Sequence, residues 1–286
     1  MPHQCVSCKK YFEDINVSEN QPSALPISAL LPSIQVHISY AQGGDVARYA
    51  GVFTQYITGF SRQFVAYQNY SFTENDFDNL WRLNLYGGPL QDLNILINQA
   101  AAEGHIHYQG VGEVLMAYGL GLATDLFGDM PYSQAFQGDA NLQPRFDTQQ
   151  QIYNTIQSLL TAGITHLNAT DNTNVQPGDL GEDLMYGGDV ALWTQFANGL
   201  KARYFMHLSK VSASNVDSAL AYTSGGLTGN ADDAKLVYGQ TETTSNPWYQ
   251  YIQQRDDILY DGYCLQTMLS LNDPRYGVYI DTADVY

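Results

Sequence analysis

Several groups of side chains in this sequence are of types that do chemistry, and spacing decides how far each goes. The acidic neighbours Asp232-Asp233 and Asp256-Asp257 raise glycoside hydrolysis, which needs two carboxylates facing each other across a sugar, about 5–9 Å apart. Adjacent residues point in different directions, and 29 acidic residues supply such pairs by chance. His105 and His107 stand close together with no third ligand of the kind a closed metal site demands, which favours a surface role. The oxygen-rich stretch 168–183 lacks the D-x-[DN]-x-[DN]-G register of a calcium loop, and turn chemistry accounts for its Asp, Asn and Gly equally well. Cys5 and Cys8 have C-x-x-C spacing, but no second pair completes a zinc site and no strand precedes them. No G-x-S-x-G, Walker loop, G-x-G-x-x-G or H-E-x-x-H occurs. No catalytic constellation, metal or cofactor site is therefore expected.

What remains is polar and aromatic. The chain of 286 residues is 44% hydrophobic and only 14% charged, with 22 tyrosines and a formal net charge of -17. It is long enough to bury a proper core. The charge argues against nucleic acid or anionic membrane faces as partners, since both are bound through Lys and Arg. Amides, hydroxyls and Tyr suit neutral polar ligands, sugars above all, although the same composition serves solubility alone. Three cysteines are too few for a disulfide framework. No apolar run approaches the length of a membrane span.

The elements that must position these groups are helical. A first helix is expected over Ile27–Gln42, and a second from Asp45, which caps it after Gly43-Gly44. An aromatic polar loop follows at 61–76. A third helix passes Trp81, bends at Gly87-Gly88-Pro89 and runs to about Ala102. Val111, Leu115, Tyr118, Leu122 and Leu126 form one apolar stripe. Gly112, Gly119 and Gly121 within it each cost about 1 kcal/mol relative to Ala, which points to close approach of a neighbouring helix. Gly128 sits where a left-handed C-cap belongs, Asp129 is placed to bond turn amides, and Pro131 redirects the chain. Thr148-Gln149-Gln150-Gln151 opens a helix with a capping box. That helix buries Ile152, Ile156, Leu159/Leu160 and Ile164. Asp189 caps a long helix with Leu192, Trp193, Phe196, Leu200, Tyr204 and Leu208 inward. A short helix is expected at Asn215–Thr223, then loops with one or two possible strands around Lys235–Tyr238. Trp81 and Trp193 read as core, and Asn198 and Arg203 as satisfied structural polar groups. The class is mainly α, with tetratricopeptide-like stacked helix pairs and long irregular loops.

Four strings carry a resemblance. "LATDLFGDMPYSQAF" (Leu122–Phe136) resembles the helix-end motif of the SusD/RagB family of outer-membrane nutrient-binding lipoproteins, with Gln134 where Glu is usual. "PRFDTQQQIYNTI" (Pro144–Ile156), "YGGDVALWTQFANGLKARYFMHLS" (Tyr186–Ser209) and "NDPR" (Asn272–Arg275) are similar to later family motifs, in the same order. "CKKYFEDIN" resembles the mature lipoprotein start, with Val6-Ser7-Cys8 as the end of a lipoprotein signal whose apolar core is missing. The resemblance implies a tetratricopeptide-like scaffold, lipidation at Cys8 and glycan-binding loops. It further implies docking on a TonB-dependent SusC-like transporter. Family members continue past the D-P-R element, so a fragment lacking the signal core and C-terminal part is expected. The divisions are residues 1–24 as anchor and extended lead, 25–224 as helical domain, and 225–286 as the loop-rich beginning of a C-terminal region.

The ligand face is expected where aromatics lie outside helical stripes. Two stretches qualify: Tyr67, Tyr70 and Phe72 in the loop at 61–76, and Trp248, Tyr249 and Tyr251 in "NPWYQYIQQRDD". Trp248 is the strongest single candidate, in a segment with no apolar repeat to bury it. The opposing reading makes it a Trp that pins the late loop onto the helices. A surface lipoprotein that binds oligosaccharides for uptake is the favoured function. The alternatives are a glycoside hydrolase and a helical scaffold that binds protein or peptide.

Overall fold

The computed structural model describes residues 25–169 and 180–279. The expectations on Cys5, Cys8 and the lead at 1–24, and most of the oxygen-rich loop, lie outside these residues. The described chain is mainly helical, as the periodicity predicts. Its helices are α1 (Ile27–Ala41), α2 (Ala47–Phe53), α3 (Gln63–Gln68), α4 (Gln91–Glu103), α5 (Ile106–Phe127), α6 (Gln149–Leu167), α7 (Val190–His207), α8 (Ser214–Thr223), α9 (Pro247–Arg255), α10 (Tyr263–Ser270) and α11 (Tyr276–Tyr279). Two two-residue strands, β1 (Thr58–Gly59) and β2 (Ile258–Leu259), pair antiparallel. From α4 to α8 each helix packs on the next, which gives the tetratricopeptide-like stack.

The caps read from sequence form at two helix starts. The Thr148 hydroxyl accepts from Gln151 N at 3.3 Å while the Gln151 side chain accepts from Thr148 N at 2.8 Å, a closed capping box at α6. The Asp189 carboxylate accepts from Ala191 N and Leu192 N at 2.9 and 3.1 Å and starts α7. Asp45 does not cap a helix. Gln42–Val46 is a π-helical turn that carries α1 into α2 without a break. Asp45 instead pairs with Arg48 and accepts from Asn84 Nδ2 at 2.8 Å. The chain bends as expected before α4, where Gly88 leaves helical geometry (φ −112, ψ −111) ahead of Pro89.

Helix α5 departs from its predicted single stripe. Val111, Gly112, Val114, Leu115, Met116, Ala117, Gly119, Leu120, Gly121 and Ala123 are all buried, whereas Leu126 is exposed. It is the central helix of the stack, enclosed from several sides rather than laid on a surface. Its glycines permit this. A Cβ on Gly112 would sit 2.9 Å from Ile97 Cγ1, and one on Gly119 2.9 Å from Leu90 Cδ2. The main core runs from Ile27 to Tyr204 and contains Trp193, with Trp81 half-buried against it.

The break after α5 is a structural joint. Asp129 Oδ1 accepts from Gln149 N at 2.8 Å, so it holds the start of α6 rather than its own turn. The Asp147 carboxylate accepts from Tyr132 N (2.9 Å), Ser133 N (2.7 Å) and the Ser133 hydroxyl (2.6 Å). Its partial burial raises its pKa, but the Ser133 hydroxyl and the two amides outweigh this and hold it below the usual carboxylate value. Tyr153 donates to Asp125 Oδ1 at 2.5 Å, which ties α6 to the end of α5. Gly128 differs from the expected left-handed cap. Its φ of +77 and ψ of −124 are those of the first central residue of a type II′ turn, a position dominated by Gly, Asn and Asp. A Cβ there would meet nothing within 4 Å, so the whole cost of substitution is backbone strain. Gly128→Val is expected to lower stability by about 1–3 kcal/mol. Urea denaturation checks it, and a change within about 0.5 kcal/mol would remove the strain account.

Candidate functional site

A second, smaller core brings together the two aromatic stretches picked out in the sequence. Val52, Ile57, Phe64, Tyr67 and Ile258 are buried in it, with Tyr49, Phe53, Trp248, Tyr251 and Ile252 packed against them. Polar ties hold the late segment in place. Asp257 is fully buried, pairs with Arg62 and accepts from the Tyr251 hydroxyl at 2.8 Å. The Phe60 amide donates to Asp257 O at 3.0 Å, beside the β1–β2 pairing. The Arg48 guanidinium lies 4.1 Å from the Tyr251 ring centroid. Asp257 is thus a structural anchor, not half of a hydrolytic pair. Asp232 likewise serves a turn, accepting from Thr228 N, Gly229 N and the Thr228 hydroxyl. Among the described residues no group of three His, Cys, Asp or Glu could hold a metal ion.

The two aromatic stretches meet in the structure, but not all of their rings lie on a surface. Tyr67 is only 4% exposed. It lies on α3, its hydroxyl donates to Asp76 Oδ1 at 3.0 Å, and its ring packs edge-on against Tyr49 and Phe64. Burial and the Asp76 carboxylate push its pKa well above the usual tyrosine value. It is a core residue, because 63–68 is helical and not the loop expected. Tyr70 and Phe72 are exposed, and both lean on Phe53, at 6.3 and 4.9 Å between centroids. Tyr251 is half-buried and engaged by Asp257 and Arg48, so it faces the small core.

Trp248 sits on a helix, contrary to the reading of a segment without an apolar repeat. Trp248, Tyr251 and Ile252, spaced i, i+3 and i+4 along α9, form the face packed on the small core. The signal was present at 246–247. The Asn246 side chain accepts from Tyr249 N at 2.8 Å and Pro247 takes the first helical position, the cap pair that opens a helix. Trp248 therefore pins the late segment, while Tyr260, 55% exposed, lies 6.5 Å from its ring.

The opposite face of α9 remains open. Tyr249 is 52% exposed and lines a cleft of about 380 Å³ with Gln240, Glu242, Ser245, Gln250, Gln253 and Gln254. Gln250 is fixed by donating to Ser245 O at 2.6 Å. One aromatic plane surrounded by amides, with Glu242 as the carboxylate in the lining, matches a hydroxyl-rich ligand: the ring covers apolar C–H surface and the amides pair with hydroxyls. Sequence reasoning selected Tyr249 but missed the glutamines, since their grouping depends on the α9 register and on the return of residues 240–245.

The fold is a stack of helix pairs that carries an aromatic, amide-rich cleft on its late segment. Comparison with known proteins makes this specific. Residues 19–285 match the SusD-like family described as "Starch-binding associating with outer membrane", and the chain belongs to that family. It is similar in structure to a SusD/RagB family protein from Bacteroides thetaiotaomicron VPI-5482 (29% identity, TM-score 0.77, 88% of this chain and 53% of that one). It also matches a chitin-binding protein (24% identity, TM-score 0.73, 88% and 54%). A chitin-binding SusD homologue from Flavobacterium johnsoniae shares the fold (19% identity, TM-score 0.74, 90% and 55%). The chain thus spans about half the length of these relatives. A search among curated proteins gives no match.

Proposed function

We propose that this chain is the ligand-binding part of a cell-surface lipoprotein that captures neutral oligosaccharides. On this reading it hands them to a TonB-dependent SusC-like transporter without catalysing a reaction. The cleft beneath Tyr249 carries the proposal, since it combines an exposed ring with four glutamines in a family described as starch-binding. The names of two structural relatives, both chitin-binding, point to the same ligand class. The residues proposed for contact are Tyr249, Gln253 and Gln254. Tyr70 and Phe72 form a second exposed aromatic patch. Cys8 is proposed as the lipidated residue. No helix among the described residues is long and apolar enough to cross a membrane, and an acyl anchor needs none.

A glycan array probed with the purified chain tests the ligand class. Tyr249→Ala is expected to weaken binding of the best glycan by about 1–2 kcal/mol with its melting temperature unchanged, because the side chain lies outside both cores. Equal binding by the variant would move the site elsewhere, peptide binding alone would favour the scaffold reading, and sugar release would favour the hydrolase. Expressed behind a complete lipoprotein leader, the chain is expected to fractionate with membranes. Cys8→Ala is expected to release it, because acyl chains supply the membrane affinity. Membrane retention by Cys8→Ala would rule out that anchor.

A further inference from the structure

A second cavity, separate from the Tyr249 cleft, lies between α1, α5 and α7. It measures about 290 Å³ and is lined on the helical side by Ile38, Leu115, Tyr118, Met185 and Phe196. Ala234 and Leu236 line it from the other side. They belong to an extended segment, residues 233–238, in which half-buried and exposed positions alternate. The sequence reading left room for a strand here; the segment has the alternation but, among the described residues, no partner strand. Among the described residues, no backbone hydrogen bond involves residues 233–238. Side chains hold its ends: the Tyr186 hydroxyl donates to Asp232 O at 3.0 Å, and the Ser39 and Tyr238 hydroxyls lie 2.8 Å apart. The segment is a strap across the cavity.

Among the described residues, Arg203 is the one charged residue in the lining. It was expected to be a satisfied structural group. Instead it is exposed, and among the described residues it makes no ion pair or hydrogen bond. In a chain with 29 acidic and 12 basic residues, an unpaired arginine beside a partly apolar cavity with no carboxylate among its described lining residues is a specific arrangement. The other polar groups of the lining are engaged. Gln35 donates to Asp183 at 2.6 Å, Gln42 accepts from the Tyr118 hydroxyl, and Ser39 meets Tyr238.

We propose that this cavity binds a small monocarboxylate with an apolar body, its carboxylate on Arg203 and its body against Phe196, Leu115 and Leu236. Guanidinium presents a planar donor fork that matches a carboxylate. A zwitterion is disfavoured, because among the described residues no acidic group lines the cavity to receive an ammonium. A free sugar is disfavoured because the Gln35, Ser39 and Tyr118 side chains already have partners, which leaves few groups to pair with its many hydroxyls. The ligand class is therefore distinct from that of the Tyr249 cleft, and the two sites stand or fall separately.

The probe is benzoate, with benzamide as its neutral isostere, titrated into the full chain by calorimetry. Benzoate is expected to bind about tenfold or more tightly than benzamide. Arg203→Gln is expected to remove that difference while leaving benzamide binding and the melting temperature unchanged. Leu236→Trp, which fills the cavity from the strap, is expected to abolish both. Equal affinity for the two probes, no detectable binding of either, or benzoate binding undiminished in Arg203→Gln would each overturn the proposal. Unchanged binding in Leu236→Trp would do so as well.

Discussion

Replacing Asp183 by alanine is expected to destabilise the fold by about 3–5 kcal/mol, the range for breaking a buried charged network. The side chain is 5% exposed, and five donors converge on its two oxygens. Gln35 Nε2 reaches it from α1 at 2.6 Å and Trp193 Nε1 from α7 at 2.7 Å. Met185 N, Tyr186 N and Gly188 N reach it from its own turn at 3.0, 3.3 and 3.1 Å. Each donor left buried without an acceptor costs about 1–3 kcal/mol, and entering water recovers part of that. The loss also spreads, because Gln35 Oε1 in turn accepts from Leu184 N at 2.9 Å. Asp183→Asn keeps the shape but turns one acceptor into a donor, so it is expected to fall between wild type and alanine. Urea denaturation with the slope m unchanged reads the difference. If Asp183→Ala costs less than about 1 kcal/mol, the carboxylate is not the node joining α1, α7 and the turn between them.

Gly121→Ala should cost about 2–3 kcal/mol, against the gain of about 1 kcal/mol that the same change gives at an open helical site. A Cβ on Gly121 would fall within the ring and hydroxyl of Tyr204, closer than real Cβ contacts allow. Tyr204 has no room to retreat. It is 1% exposed, packs edge-on against Tyr153 at 6.0 Å and His207 at 5.5 Å, and donates to Tyr118 O at 3.4 Å. The added methyl must therefore separate α5 from α7. Gly199→Ala is the internal control: it lies within α7 and its Cβ meets nothing within 4 Å, so it should stabilise by about 0.5–1 kcal/mol. In a double-mutant cycle, Gly121→Ala with Tyr204→Leu should cost less than the sum of the two changes. Additive costs would mean that the two positions do not compete for the same space.

Both effects show where local reasoning stops. The three glycines of α5 announced a close approach, because their helical cost requires a compensating contact. They did not say that Ile97, Leu90 and Tyr204 are the three different neighbours. Asp189 and Thr148 were legible as caps because capping is decided within four residues of chain. Asp129 was legible only as a turn-type residue; that Asp129 and Asp147 each bond the other arm of the loop depends on a return 14 to 20 residues later.

The same boundary divides the candidate site. The aromatic stretches at 61–76 and 246–257 stand out by composition, and the four motif strings mark the family. Which rings face water was decided by two short helices. The register of α3 turned Tyr67 inward, and that of α9 turned Trp248 and Tyr251 onto the small core and left Tyr249 outside. The Asn246-Pro247 cap could have indicated the second of these.

By itself, then, the sequence determined the helical class, the main helix caps, the position of the break at Gly128 and the family, because each rests on short-range spacing or a contiguous motif. Tertiary structure alone decided that Asp183 gathers donors from three segments and that Asp257 is an anchor. It also set four glutamines around Tyr249 and left Arg203, among the described residues, unpaired beside a partly apolar cavity. Each of these depends on residues far apart in the chain meeting in one place, and hydrophobic periodicity says which face is buried but not what it meets.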